Sequence, residues 1–251
     1  MNETKFNGMG KIYAKFRPTY PKEFIDYLYT DVGINADSII ADIGSGTGIL
    51  TKQILEAGNK VLAIEPNSDM RAVAEADLSG FENYVSVNGT AENTELEDNS
   101  VDFITVAQAF HWFDRVKFKA ECRRILKNEG KVILIWNSRD FSAAVVKDVD
   151  EINRRYCPNF KGFSGGMRGA ERDDDFADFF VGVYESKVFK NDQPCDLHDF
   201  IGRNLSASYA LKENDANYPA YVDALKSSFN NHAIDGMLIM PTDTKSYVGT
   251  V

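Results

Sequence analysis

The chain has 251 residues, with 28 Lys and Arg against 38 Asp and Glu, so it carries a net charge of −10 at pH 7. Hydrophobic residues make up 43% and charged residues 26%, ordinary values for a folded soluble protein, which excludes a disordered, collagenous or coiled-coil chain. This length suits one α/β domain with a small lid, and the acid excess argues against a nucleic-acid partner, which calls for a basic face.

The cysteines, Cys122, Cys157 and Cys195, are spaced as neither a redox pair nor a zinc site. A reducing compartment and no metal are expected, with Cys122 as core filling in a helical pattern. Residues 1–20 are polar and broken by glycines, without the apolar segment of a signal peptide. No run of about 18 apolar residues suggests a membrane span. The expectation is a cytoplasmic protein with no membrane partner.

In chain order, a leader over residues 1–37 carries one helix at 21–29. From 39 to 136 short β-rich runs alternate with helical ones. Strands are predicted at 38–43, 60–64, 84–87, 101–106 and 131–136, and helices at 49–57, 66–76 and 114–126. The turn Asn128-Glu129-Gly130 leads into the last of these strands. Strands alternating with helices mean βαβ units and a parallel sheet covered on both faces, and right-handed crossovers make the sheet doubly wound. Beyond 140 the pattern is less regular. Helices are predicted at 148–156, 197–205 and 218–232, and strand material at 183–189, 237–240 and 246–251. Residues 158–175 hold Gly162, Gly165, Gly166, Gly169 and Asp173-Asp174-Asp175 and read as a mobile loop or lid, the acids as a solvated run. The division expected is an N-terminal helical cap segment (1–37), a doubly wound Rossmann-like core (38–140), and a region (141–251) with the cap insertion, a substrate region and the last strands of the sheet.

The sharpest feature is Asp42-Ile43-Gly44-Ser45-Gly46-Thr47-Gly48, between a strand and a helix. Glycines there let the backbone turn tightly and approach a ligand. A dinucleotide fingerprint needs its third glycine at position 49, which is Ile, and the Gly-Lys-Ser/Thr of a phosphate loop is absent. No basic residue lies in the loop to meet a phosphate. Glu65 ends the second strand, where a carboxylate can accept hydrogen bonds from both ribose hydroxyls. Glu92, past the third strand, is placed to accept from an adenine amino group. A backbone turn, a ribose acceptor and an adenine acceptor without a phosphate site describe an adenosine ligand that lacks phosphates.

These residues resemble the class I S-adenosylmethionine-dependent methyltransferases, and within them the small-molecule group containing the ubiquinone/menaquinone-biosynthesis and trans-aconitate enzymes. Asp42-x-Gly44-x-Gly46-x-Gly48 is similar to the family's first motif, Glu65 to its ribose-binding acid and Ala91-Glu92 to its adenine loop. Val101-Asp102-Phe103-Ile104 with Gln108-Ala109-Phe110-His111-Trp112-Phe113 resembles the fourth strand and its loop. Arg123-Arg124-Ile125-Leu126-Lys127-x-x-Gly130-Lys131 resembles the helix and turn into strand five, and Tyr13…Arg17-Pro18-x-Tyr20-Pro21 a segment that closes over the donor. The likeness covers residues 10–140 well and 141–251 only loosely. It implies a Rossmann-like, seven-stranded, mostly parallel sheet with helices on both faces and a small helical cap. It implies a donor site of Tyr13, Arg17, Asp42, Gly44, Ser45, Gly46, Gly48, Glu65, Pro66, Met70, Ala91, Glu92 and Gln108, with S-adenosylmethionine as the cofactor. The implied activity is methyl transfer to a small-molecule acceptor by in-line displacement, yielding S-adenosylhomocysteine.

Several residues carry two readings. Asp42 either holds the loop amides or meets the donor's ammonium through water. His111 either removes a proton from the acceptor or shapes the pocket with Trp112 and Phe113. Phe110 and Trp112 either stack on adenine or pack beneath the loop. Trp136-Asn137 falls at the rim of an acceptor pocket. Arg17 pairs with a donor carboxylate or an acidic acceptor, or caps a helix, and Tyr13 and Tyr20 are lid or core. Ser206-x-Ser208-Tyr209 resembles a short motif of the same branch. The competing functions are a donor-binding protein without catalysis and an NAD-dependent oxidoreductase. The expected assembly is a monomer or weak homodimer.

Overall fold

The computed structural model describes residues 14–163 and 176–251. Tyr13, Gly165, Gly166, Gly169 and Asp173-Asp174-Asp175 lie outside the described residues.

The strands are β1 (Ile39–Ile43), β2 (Lys60–Ile64), β3 (Tyr84–Val87), β4 (Val101–Ala107), β5 (Leu126–Arg139), β6 (Glu185–Lys190), β7 (Gln193–Cys195), β8 (Leu238–Met240) and β9 (Thr242–Gly249). The helices are α1 (Lys22–Tyr27), continued by a π-turn over Leu28–Val32, α2 (Ile49–Glu56), α3 (Ser68–Leu78), α4 (Arg115–Ile125), α5 (Ala144–Tyr156), α6 (Leu197–Leu205) and α7 (Tyr218–His232). Seven strands form one sheet in the order β3-β2-β1-β4-β5-β9-β6. Pairs from β3 through β5 are parallel, and β9 runs antiparallel to both β5 and β6. This is the seven-stranded, mostly parallel, doubly wound sheet that the resemblance implies. The strand order reverses between β1 and β4, and ligands of such sheets bind at that switch point, outside the carboxyl ends of the strands.

Alternation along each strand sends side chains to opposite faces. From β1, Ala41 and Ile43 enter a core with Phe118, Cys122 and Ile125 of α4. Ile40 enters the opposite core, with Phe24 of α1, Leu50 and Ile54 of α2, and Ala74 and Leu78 of α3. A third cluster, including Val149, Phe200, Tyr221, Leu225 and Phe229, binds α5, α6 and α7 into the cap. Side chains cap three helix starts, at Asn67, Asp114 and Asp196. Asn67 accepts from the Met70 amide at 3.0 Å, and Asp114 accepts from those of Val116 and Lys117. Each such cap contributes about 1 kcal/mol. All three cysteines are buried free thiols.

Three boundaries differ from expectation by four or five residues. β5 begins at Leu126, five residues early. Its register against β4 jumps from Val101↔Leu126 to Phe103↔Lys131, so the Asn128–Gly130 turn is absorbed as a bulge, with Glu129 at φ +67°. β9 begins at Thr242 because its buried face includes Thr242, Thr244 and Ser246, hydroxyl residues without an apolar signature. α5 starts at Ala144, before the predicted 148, with no side-chain cap to announce it.

Candidate functional site

The carboxyl ends of β1, β4 and β5 open into a cavity of about 700 Å³ that the leader and the cap cover. Such a volume lies in the range of small-molecule sites, roughly 300–1,000 Å³. Its sheet-side wall includes Asp42, the loop Gly44–Thr47, Gln108, His111 and Asn137. Phe16 and Arg17 of the leader and Phe163, Phe200, Arg203 and Tyr209 of the cap contribute to the other side.

The glycine loop is shaped by bonds from its neighbours. The amides of Gly44 and Ser45 both donate to the Ile64 carbonyl, at 2.8 and 3.1 Å. Gly44 sits at φ +69°, and a Cβ there would lie 2.6 Å from Ala109 Cβ, so glycine is required sterically as well as conformationally. The Glu65 carboxylate accepts from the Gly46 amide through Oε2 at 2.9 Å and from the Asn67 amide through Oε1 at 2.8 Å. Burial pushes its pKa up, and those two amides and Arg71 partly offset the shift. The Arg71 guanidinium also clamps the Glu65 carbonyl at 2.7 Å. Glu65 therefore stands at the shoulder of the loop, its acceptor oxygens turned to backbone N–H groups.

Asp42 does not hold the loop amides. Its carboxylate accepts from the hydroxyls of Thr51 on α2, at 2.6 Å, and Thr105 on β4, at 2.9 Å. Full burial pushes its pKa up to about 6, against the lowering effect of the two hydroxyls. It ties α2 and β4 to β1 beneath the loop while still bordering the cavity.

Gln108, just past β4, takes φ +59°, a conformation rare outside glycine and found disproportionately at working sites. Its amide donates to the Ile135 carbonyl and its side chain to the Asn137 carbonyl, so the strain is held by β5. His111, in the 3-10 turn Phe110–Trp112, borders the cavity with its ring 4.6 Å from that of Trp112. Phe110 instead packs beneath the loop, among Phe118, Phe176 and Phe179. Trp136 is not an acceptor-pocket rim. It alternates to the other face of β5 and stacks on Phe176, 5.5 Å away, leaving Asn137 at the rim.

The leader is fastened across the opening. Tyr20 exchanges both backbone hydrogen bonds with the Gln53 side chain, and the Thr19 carbonyl accepts from Asn137 and Asn191. Tyr20 is thereby buried core that also borders the cavity. Arg17 donates to the Ser206 carbonyl at 3.4 Å, joining the leader to the end of α6.

The cavity thus gathers Arg17, Asp42, Gly44, Ser45, Gly46, Gln108 and His111. Glu65, Pro66, Met70, Ala91, Glu92 and Gly48 stand outside its lining. Glu92 accepts from the Asp114 amide at 2.9 Å, fixing the start of α4. Met70 and Ala91 are buried. Sequence reasoning missed Arg139 and Arg203, both cavity residues. Arg139 was within reach, lying past the predicted end of the fifth strand at the ligand-binding end of the sheet. Arg203 sits in an amphipathic helix without a signature. Among the described residues no group of three or more His, Cys, Asp or Glu could hold a metal, and no helix is long and apolar enough to cross a membrane.

Residues 41–134 match the family model described as a methyltransferase domain. An uncharacterized methyltransferase of Mycobacterium tuberculosis is 40% identical over 140 residues, 56% of this chain and 55% of that one. An uncharacterized methyltransferase-like protein of Schizosaccharomyces pombe is 35% identical over 152 residues, 59% and 58% of the two chains. The match therefore spans little more than half the length of these curated relatives. In three dimensions, a candidate type II methyltransferase from Anaeromyxobacter dehalogenans superposes with a TM-score of 0.69 at 20% identity, over 94% of this chain and 98% of that one. Residues 41–134 thus form a methyltransferase domain, and the seven-stranded sheet around it has the class I methyltransferase fold.

Proposed function

We propose that the chain transfers a methyl group from S-adenosylmethionine to a small-molecule acceptor by in-line displacement, leaving S-adenosylhomocysteine. The observation that carries this reading is the Gly44–Gly48 loop, with the Glu65 carboxylate docked on the Gly46 amide, beside a cavity that extends under the cap. The fit is chemical. The loop offers backbone amides and a carboxylate, the groups that hold an uncharged ribose and adenine, and it has no lysine or arginine for a phosphate.

When bound, the donor supplies a methyl group already activated by its sulfonium. The protein's work is then positioning and the exclusion of water. Gly44, Ser45 and Gly46 bring backbone close to the ligand, and Glu65 accepts from the ribose hydroxyls. The strained turn at Gln108 presents the loop after β4, and the fastened leader closes the opening. His111 takes the proton from an acceptor hydroxyl or amine; a carboxylate acceptor needs no base. The net charge of −10 and the free buried thiols support a cytoplasmic enzyme without a nucleic-acid partner, taken to act as a monomer or weak homodimer.

The test is binding of S-adenosylhomocysteine to the full chain, beside NAD. Binding of the first that Glu65→Ala weakens by about 1–3 kcal/mol supports the reading. Binding of NAD alone would reverse it in favour of an oxidoreductase.

A further inference from the structure

The cavity has a cationic end that the donor cannot use up. Arg17, Arg139 and Arg203 all border it; burial lowers the Arg139 pKa, Tyr209 works against that, and the like charges of Arg17 and Arg203 lower it further. Among the described residues the arginine ion pairs belong to Arg71, Arg115, Arg124 and Arg154, and none involves Arg139 or Arg203. The Arg203 Nε is buried and has no hydrogen-bond partner among the described residues. Arg139 instead lies over the Phe163 ring, 4.4 Å from its centroid. Clustered guanidinium groups in a chain of net charge −10 are costly unless an anion answers them.

The donor brings one carboxylate, set against its own ammonium and sulfonium. One guanidinium suffices for that carboxylate, and Arg17 on the closing leader is suited to it. Arg139 and Arg203 remain, beside the apolar surfaces of Phe16, Phe163 and Phe200. Planar guanidinium groups match a carboxylate bidentately, and an aromatic wall selects an apolar body. We infer that the methyl acceptor is a carboxylic acid with an apolar body, its carboxylate held by Arg139 and Arg203 and its body seated against Phe16, Phe163 and Phe200. This deepens the methyltransferase reading and rests on it.

The test is calorimetric titration of the S-adenosylhomocysteine-loaded full chain, at fixed ionic strength, with cinnamate, phenylacetate, uncharged cinnamamide, citrate and inorganic phosphate. Cinnamate or phenylacetate is expected to bind saturably, and about tenfold or more tighter than the amide. Arg139→Gln and Arg203→Gln should each erase that preference while leaving S-adenosylhomocysteine affinity unchanged, which also shows that the variant is folded. Arg139→Lys, which keeps the charge and loses the fork, should restore it only in part. No binding by either aryl acid, equal binding of cinnamate and cinnamamide, or a preference that survives in both Gln variants overturns the inference. Tighter binding of citrate or phosphate than of the aryl acids overturns it too, in favour of a polar polyanion or a phosphorylated acceptor. If S-adenosylhomocysteine itself does not bind, the donor reading fails, and the acids titrated against the ligand-free chain judge the anchor separately.

Discussion

Replacing Gly44 with Ala tests how the loop is held to the sheet. The residue stands at φ +69°, and an added Cβ would sit 2.6 Å from Ala109 Cβ and 3.2 Å from Phe113 Cζ. The left-handed backbone costs a non-glycine residue about 1–2 kcal/mol. The collision adds about 1–3 kcal/mol of overpacking, because Ala109 ends in its Cβ and has no flexible end to swing aside. Gly46→Ala is the matched control. It stands at φ +59°, but nothing lies within 4 Å of its added Cβ. Only the backbone term of about 1–2 kcal/mol applies there. Urea unfolding of the three proteins should therefore rank them wild type, then Gly46→Ala, then Gly44→Ala, the last two separated by about 1–3 kcal/mol at equal slope. A Gly44 variant as stable as the Gly46 variant would refute the packing of the loop against Ala109 and Phe113.

Further predictions concern charge and chemistry. The folded pKa of Asp42, about 6, lies above its ordinary value of 3.8, so its protonated form favours the folded state. Its contribution is fully present below pH 3.8 and is lost as pH rises through 6, a loss of about 3 kcal/mol. Asp42→Asn should remove that slope, and parallel wild-type and variant stability curves from pH 4 to 7 would contradict it. Glu121 behaves oppositely: burial raises its pKa, but Arg124 and Thr94 outweigh that and hold it at about 2. Glu121→Gln should cost stability at pH 7 and progressively less as pH falls from 4.5 toward 2, read by chemical denaturation; a cost constant with pH would deny the ion pair that role. His111→Ala should lower turnover by a factor of about 10²–10⁴ on an acceptor that loses a proton, with donor affinity unchanged. Unaltered turnover on such an acceptor would leave His111 only a shaping role.

The parts of the fold legible in the sequence are those where backbone period and side-chain chemistry agree. β1, β2 and β4 are apolar runs with sharp turn residues on either side, and α4 announces itself with Asp114 as its cap. The cap helices α6 and α7 fall where their apolar spacing puts them. β9 was obscured because its buried hydroxyls imitate a loop, and β5 because the bulge at Asn128–Gly130 reads as a strand boundary. At the site, the glycine loop was legible because only glycine satisfies both φ and space at Gly44. Carboxylate positions were legible but their partners were not, since partners come from distant elements. Asp42 meets Thr51 and Thr105, and Glu92 meets the Asp114 amide. Arg139 and Arg203 lie 64 positions apart and share a cavity only because β5 and α6 converge beneath the leader.

The most direct test of the central claim is calorimetric titration of the wild-type chain and of Glu65→Ala with S-adenosylhomocysteine. Micromolar binding to the wild type, about −8 kcal/mol, weakened by about 1–3 kcal/mol in the variant, is the predicted result. Equal affinity in the two proteins would remove Glu65 from the ribose, and no binding to either would contradict the adenosine site itself.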